Sequence, residues 1–99
     1  MPAEENDRVE NIRGKLREDR KLTSQLEGKT HASIKPLLQP SSDSLGYVET
    51  FLYFASQAEP GYVSMWLDAA ETYLEMAARQ REVVEDSIAK YGPNARVIY

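Results

Sequence analysis

The sequence contains no cysteine, only one histidine and no long hydrophobic run. Without cysteine, neither a disulfide framework nor a thiolate metal site is available. No apolar segment approaches the roughly 18 residues that span a membrane, and no signal-peptide pattern opens the chain. These absences predict a soluble cytoplasmic protein that does not enter a membrane.

Aromatic residues are missing from the first 46 positions, although the chain carries nine of them. Residues 1–40 hold eight basic and seven acidic side chains, whereas residues 41–99 hold four basic and nine acidic ones. A densely charged segment without aromatics buries too little apolar surface to offset its ordering entropy. We therefore expect residues 1–40 to be a flexible arm. Its spacing predicts a marginal helix over about 10–27, and Pro36 and Pro40 favour extended chain over 29–40.

The segment 45–55 is rich in aromatic and β-branched residues, so its local composition suits either a strand or a helix. Cap-forming residues at 41–44 stand just before it, and its length favours a helix from about 44 to 58. The dipeptide Pro60-Gly61 then predicts a turn.

A heptad pattern follows this turn and gives the strongest signal in the sequence. Apolar residues recur every seven positions in two series, one from Val63 to Tyr91 and one from Leu67 to Ile88, interrupted only by Arg81. Gly92-Pro93 ends the pattern, so we expect one long helix over about 62–91. Residues 93–99 should form an extended tail that covers Met76 and Val83 or adds to the edge of a sheet.

Together these patterns predict an all-α fold, with a helical hairpin over 41–92 that has unequal arms. The shorter helix leaves the far end of the longer one uncovered, so we expect self-association or a protein partner to complete the core. The arm, folding back through Leu37 and Leu38, is a third candidate for this cover. The expected association seam consists of Val63, Leu67, Ala70, Leu74, Ala77, Val84, Ile88 and Tyr91. Trp66 and Tyr73 flank this seam, and such a pair more often belongs to a core than to a ligand site.

Catalytic and metal-binding patterns are weak. The single histidine, His31, falls in the expected flexible arm, where nothing positions it as a general base. Glu71 and Glu75 are one helical turn apart, as are Glu82 and Asp86, but no histidine accompanies them as in helical di-metal sites. A solvated acidic face explains these carboxylates, and we expect no enzyme activity, cofactor or metal.

The leading functional hypothesis is a small adaptor or inhibitor that binds another protein through the hairpin, the arm or both. The candidate contacts in the arm are Ile12, Arg13, Lys15, Leu16, Arg17, Arg20 and Lys21. The alternative is a nucleic-acid-associated helical dimer that uses the basic cluster at 13–21. The protein partner is favoured because the rest of the chain is acidic and would repel phosphates.

Overall fold

The computed structural model describes residues 3–30, 32 and 34–91, the last of them by its backbone alone. Within these residues every regular element is a helix, and the expected all-α class is confirmed. Three α-helices follow one another: α1 (Ala3–Lys29), α2 (Gln39–Gln57) and α3 (Pro60–Tyr91). A short 3₁₀ helix, Lys35–Leu38, leads directly into α2. The predicted tail at 93–99 and the predicted helix stop at 92–93 lie outside the described residues.

The helices α2 and α3 pack side by side and run in opposite directions. Ser41, near the start of α2, donates a hydrogen bond to the carbonyl of Ala77, whereas Phe54, near its end, contacts Trp66. Only residues 58 and 59 separate the two helices, so the turn precedes the expected position at 60–61. Pro60 instead begins α3, because the first turn of a helix tolerates a residue without an N–H group.

The observed start of α2 and the segment before it both differ from the prediction. The helix begins at Gln39, about five residues before the predicted position at 44, and Pro40 lies in its first turn. The segment 29–40 is not extended, because Lys35–Leu38 forms the 3₁₀ helix with Pro36 in its first turn. Both prolines thus occupy helix starts, where they are favoured, and the rule that proline ends a helix gave the wrong prediction.

The hydrophobic core lies between α2 and α3 and is closed on one side by α1. Ala70 and Ala77 are fully buried at its centre, where their small side chains allow α2 to approach α3 closely. The core comprises Ile12 and Leu16 from α1; Leu45, Val48, Leu52 and Ala55 from α2; and Val63, Leu67, Ala70, Leu74 and Ala77 from α3. Beyond this core, Val84 of α3 is also completely buried, so this stripe of α3 is covered within the chain as far as Val84.

The N-terminal segment corrects the prediction of a flexible arm. It forms a 27-residue helix, α1, which packs against the other two helices through Ile12 and Leu16. The prediction from composition correctly reflects that few of its residues are apolar. Composition does not show which residues form ion pairs with distant parts of the chain, and several such ion pairs attach α1 to α2 and α3.

Candidate functional site

Most residues of the expected association seam lie inside the chain's own core. Six of them are buried: Val63, Leu67, Ala70, Leu74, Ala77 and Val84. Ile88 is half-buried, and the side chain of Tyr91 lies outside the described residues. The heptad pattern therefore marks the surface on which α3 meets the other helices of the same chain.

The five basic residues of the expected arm contacts now belong to α1, and two of them have carboxylate partners. Arg20 Nη2 lies 2.7 Å from Glu49 Oε1 on α2, and Arg13 Nη1 lies 3.4 Å from Glu10 Oε1 on α1 itself. The other three are exposed: Lys15, Arg17 and Lys21. The basic cluster is thus divided between ion pairs and open surface.

Arg8 attaches the start of α1 to α3. Its Nε donates to Glu71 Oε1 at 2.5 Å, and its Nη2 forms an ion pair with Asp68. The hydrogen bond that Arg8 donates to Glu71, followed by the one it donates to Asp68, raises the pKa of Arg8 further above its ordinary value. Because folding raises this pKa, the resulting stabilisation is fully present below the ordinary pKa of arginine and is lost only in strong alkali.

Arg81 occupies the one polar position of the heptad pattern and pairs with Asp19 of α1. Its Nε also donates to Glu85 Oε1, one turn further along α3, at 2.9 Å. A guanidinium group can be buried when carboxylates satisfy its donors in this way. The interruption in the heptad is therefore an attachment point for α1.

The flank of the α2–α3 pair opposite α1 carries an aromatic surface. We name this surface the aromatic face and define it by Tyr47, Phe51, Phe54, Tyr62, Trp66, Tyr73, Met76 and Val83. Phe51, Trp66 and Tyr73 are half-buried against the core. The other five are between 40% and 63% exposed. Isolated exposed apolar side chains are ordinary, but several that share one flank are typical of an interaction site.

Ring contacts join the aromatic face across the two helices. Tyr47 and Phe51 both contact Tyr73, with ring centroids 5.4 Å and 5.2 Å apart. Phe51 stacks on Trp66 at 5.8 Å, and Phe54 contacts the same indole at 4.9 Å. These are the offset and tilted geometries that aromatic pairs favour. Because each ring holds its neighbour, the face presents a fixed shape.

The α3 part of the aromatic face contains no charged residue. Helical spacing places Tyr62, Trp66, Ala69, Tyr73, Met76, Gln80, Val83 and Ser87 on one stripe of α3. The acidic residues Asp68, Glu71 and Glu75 fall on the other flank, where two of them bind Arg8. The surface of α3 is therefore divided into an acidic flank that faces α1 and an uncharged flank that faces away.

The aromatic face was only partly foreseeable from sequence. The spacing of Trp66 and Tyr73 placed them beside the seam, and the core was the favoured interpretation. The structure leaves both half-buried, with an exposed edge. The signal that identifies the face is the run of uncharged residues at positions 62, 66, 69, 73, 76, 80, 83 and 87, which differs from the neighbouring acidic stripe.

Other surface features offer less chemistry. A groove of about 420 Å³ between α1 and α3 is lined by Ile12, Lys15, Asp19, Glu71 and Leu74, among others, and mixes both charge signs with apolar groups. In the part of the chain that the structure describes, no three histidine, cysteine, aspartate or glutamate residues are grouped to hold a metal ion. His31 lies outside the described residues.

Comparison of this chain with known proteins identifies no relative. No family model matches this chain, and no curated protein and no solved structure is significantly similar to it. Over residues 3–30, 32 and 34–91, no helix combines the length and apolar character that crossing a membrane requires.

Proposed function

We propose that this chain is a small non-enzymatic protein-interaction module, of adaptor or inhibitor type, that binds a protein through the aromatic face. The observation that supports this proposal is the continuous series of ring contacts from Tyr47 through Tyr73, Phe51 and Trp66 to Phe54 on an uncharged flank. Protein interfaces are enriched in aromatic residues and methionine and are depleted of charge at their centre. The aromatic face has this composition.

Trp66 and Phe54 are the expected energetic centre of binding. Trp66 contacts both Phe51 and Phe54, so it is already held in one orientation before a partner arrives. A rigid aromatic side chain loses little conformational entropy on binding and contributes a large apolar area. Residues of this kind account for most of the binding energy in measured interfaces, commonly about 2 kcal/mol or more each.

The alternative of a nucleic-acid-associated dimer has less support. Arg20 is engaged by Glu49, and the exposed basic residues belong to a helix that packs beside the acidic flank of α3. Base stacking would require aromatic rings near the basic cluster. The aromatic face is on the opposite flank, so stacking groups and phosphate-binding groups do not share a surface.

The proposal is tested with a photoreactive residue, p-benzoylphenylalanine, placed at Tyr62 on the aromatic face or at Gln25 on α1. Both positions are exposed, so either residue tolerates replacement. On irradiation in the source cells, we expect discrete adducts from position 62 and only background from position 25. Adding Phe54→Glu and Met76→Glu to the position-62 protein should remove those adducts, because two charges on the face prevent apolar docking.

Similar adducts from both positions, or adducts that survive the two glutamates, would contradict binding through this face. Aspartate at Leu74 and Ile88 would be the direct test of the expected association seam, but it does not separate binding from folding. Leu74 is buried in the core, so aspartate there unfolds the chain whatever it binds. Phe54 and Met76 are each 40% exposed and lie outside the core cluster, so glutamate there disturbs folding less than aspartate at Leu74.

A further inference from the structure

We infer that the occupant of the aromatic face is a second copy of this chain, so that two α2–α3 pairs associate face to face in a symmetric dimer. This inference rests on the proposed function and adds the identity of the partner. In a dimer with a two-fold axis, the same patch of each copy meets its counterpart, so the patch must be complementary to itself. The aromatic face has this property, because aromatic rings and methionine pack against their own kind.

The distribution of charge favours a second copy on this face. The chain carries a formal charge of −4, and two copies therefore repel one another in most orientations. The flank of α3 that holds Asp68 and Glu75 would bring carboxylates together if it met itself. The stripe from Tyr62 to Ser87 has no charged residue, so contact through this flank of α3 brings apolar groups together without opposing like charges.

The dimensions of the face fit the requirement for a stable dimer. From Tyr62 to Val83 the α3 stripe extends about 32 Å at 1.5 Å per residue. Two helices packed about 9 Å apart present a strip about 18–20 Å wide, and the 19 residues of α2 extend this strip for about 28 Å, which gives about 500–550 Å² per copy. Two copies would then bury about 1,000–1,100 Å² in total, at the lower limit for a specific protein interface.

The rest of the molecule leaves the face accessible and gives it a polar edge. Arg8 and Arg20 bind the acidic groups Glu71 and Glu49, which holds α1 on the opposite flank. Tyr47 and Tyr62 are each more than half exposed, so their hydroxyls can form hydrogen bonds at the rim. Dimerisation therefore requires no displacement of α1.

The experiment measures the mass of the full chain by sedimentation and light scattering from about 1 to about 200 µM. We expect the mass to rise from 11.2 kDa to twice that value. The Phe54→Glu, Met76→Glu double variant should dimerise at least about 100-fold more weakly, because two charges would be buried in the interface. The control, Asn11→Glu with Ser24→Glu, adds the same charge at exposed positions of α1 and should dimerise like the parent chain.

Trp66 supplies a second measurement because it is the only tryptophan in the chain. In a dimer its exposed edge is covered, so its emission should shift to the red on dilution in the parent and the control but not in the double variant. Circular dichroism should show equal helix content in all three proteins. A double variant that has lost its helices would be replaced by Tyr62→Glu, which lies at a more exposed position.

Two results would overturn the inference. A parent chain that remains a monomer throughout, with Trp66 emission independent of concentration, excludes the second copy. A dimer that is unaffected by the glutamates places association elsewhere on the molecule. If the parent is a monomer while position 62 still gives face-specific adducts, the proposed function stands with a different protein as the partner. If those adducts are absent as well, both the second copy and the proposed function are contradicted.

Discussion

Asp19 of α1 and Arg81 of α3 form an ion pair that joins the first helix to the longest one, and both side chains are largely buried, with 15% and 10% exposed. The pair replaces an apolar contact at a core position of the heptad pattern. It fixes the flank of α3 on which α1 lies and, in consequence, the flank that is left open. The aromatic face is exposed because α1 is held on the other side.

Breaking this ion pair should destabilise the fold strongly. Arg81→Met leaves the Asp19 carboxylate buried without its partner, and we expect a loss of about 3 kcal/mol in the free energy of unfolding. Adding Asp19→Leu should recover most of that loss, because both buried charges are then replaced by apolar groups. Urea unfolding at one fixed protein concentration measures the stability of the parent chain, of Arg81→Met and of the double variant.

The control is Glu85→Gln. Glu85 is 43% exposed, so this substitution should lower the free energy of unfolding by less than about 1 kcal/mol. Equal effects of Arg81→Met and Glu85→Gln would contradict this assignment.

Ser41 and Ser42 give a matched pair that tests the junction of α2 and α3. Ser41 is fully buried, and its Oγ donates to the carbonyl oxygen of Ala77 at 3.0 Å, whereas Ser42 is exposed. Replacing either serine with alanine gives the same gain in helix propensity. We expect Ser41→Ala to be about 1 kcal/mol less stable than Ser42→Ala in thermal or urea unfolding. Indistinguishable stabilities would mean that this hydrogen bond contributes nothing to folding.

The same junction contains a polar contact that joins three residues. Ser44 Oγ and the Gln80 side-chain amide lie 2.9 Å apart. With the amide nitrogen turned toward α2, Gln80 donates both to Ser44 Oγ and to the carbonyl oxygen of Pro40, at 2.9 Å and 3.0 Å. The sequence indicates Ser44 as a helix cap. The structure uses it between helices, because α2 begins earlier than the local cap signals predict.

Local sequence pattern was sufficient for α3 and for the helical nature of α2. The heptad over 63–91 encodes a helix whatever packs on it, and the observed α3 starts only two residues before the predicted position. For α1 it predicted a marginal helix over about 10–27, but neither its full length nor its packing, because Ile12 and Leu16 are the only buried residues that this helix contributes to the core cluster. The ion pairs of Arg8 and Asp19 with α3 depend on residues about 60 positions away. No local pattern contains such pairs.

The candidate site was missed for a related reason. The heptad identifies which stripe of α3 is covered, but not whether its cover comes from the same chain or from another. Once α1 fills one flank, Val63 and Leu74 belong to the core, and the aromatic residues become the available surface. The choice of flank is made by Arg8, Asp19 and Arg81. The site is therefore a result of how the helices dock and is not visible in any single helix.

Thr23 is a buried hydroxyl in α1 without a hydrogen-bond partner among the described residues. Burying an unpaired hydroxyl costs free energy, and valine has the same shape without the polar atom. We expect Thr23→Val to raise the free energy of unfolding by about 1 kcal/mol. The control is Thr72→Val, where the exposed hydroxyl donates to the carbonyl of Asp68 at 2.9 Å and its removal should give no gain. A loss of stability in Thr23→Val would show that the hydroxyl is hydrogen-bonded in solution.

Gly14, at the middle of α1, tests whether this helix is continuous in solution. A methyl group added there meets no atom within 4 Å, so alanine is tolerated without any shift of its neighbours. Alanine is favoured over glycine within a helix by about 1 kcal/mol, and we expect Gly14→Ala to raise the stability by about that amount. Gly28→Ala adds the same methyl group one residue before the end of α1 and should give less than half of the gain, because helix ends fray. Hydrogen exchange of the α1 amides measures the difference directly. If Gly14→Ala leaves both exchange and unfolding unchanged, α1 is not a continuous helix in solution, and the flank that it covers would be open as well.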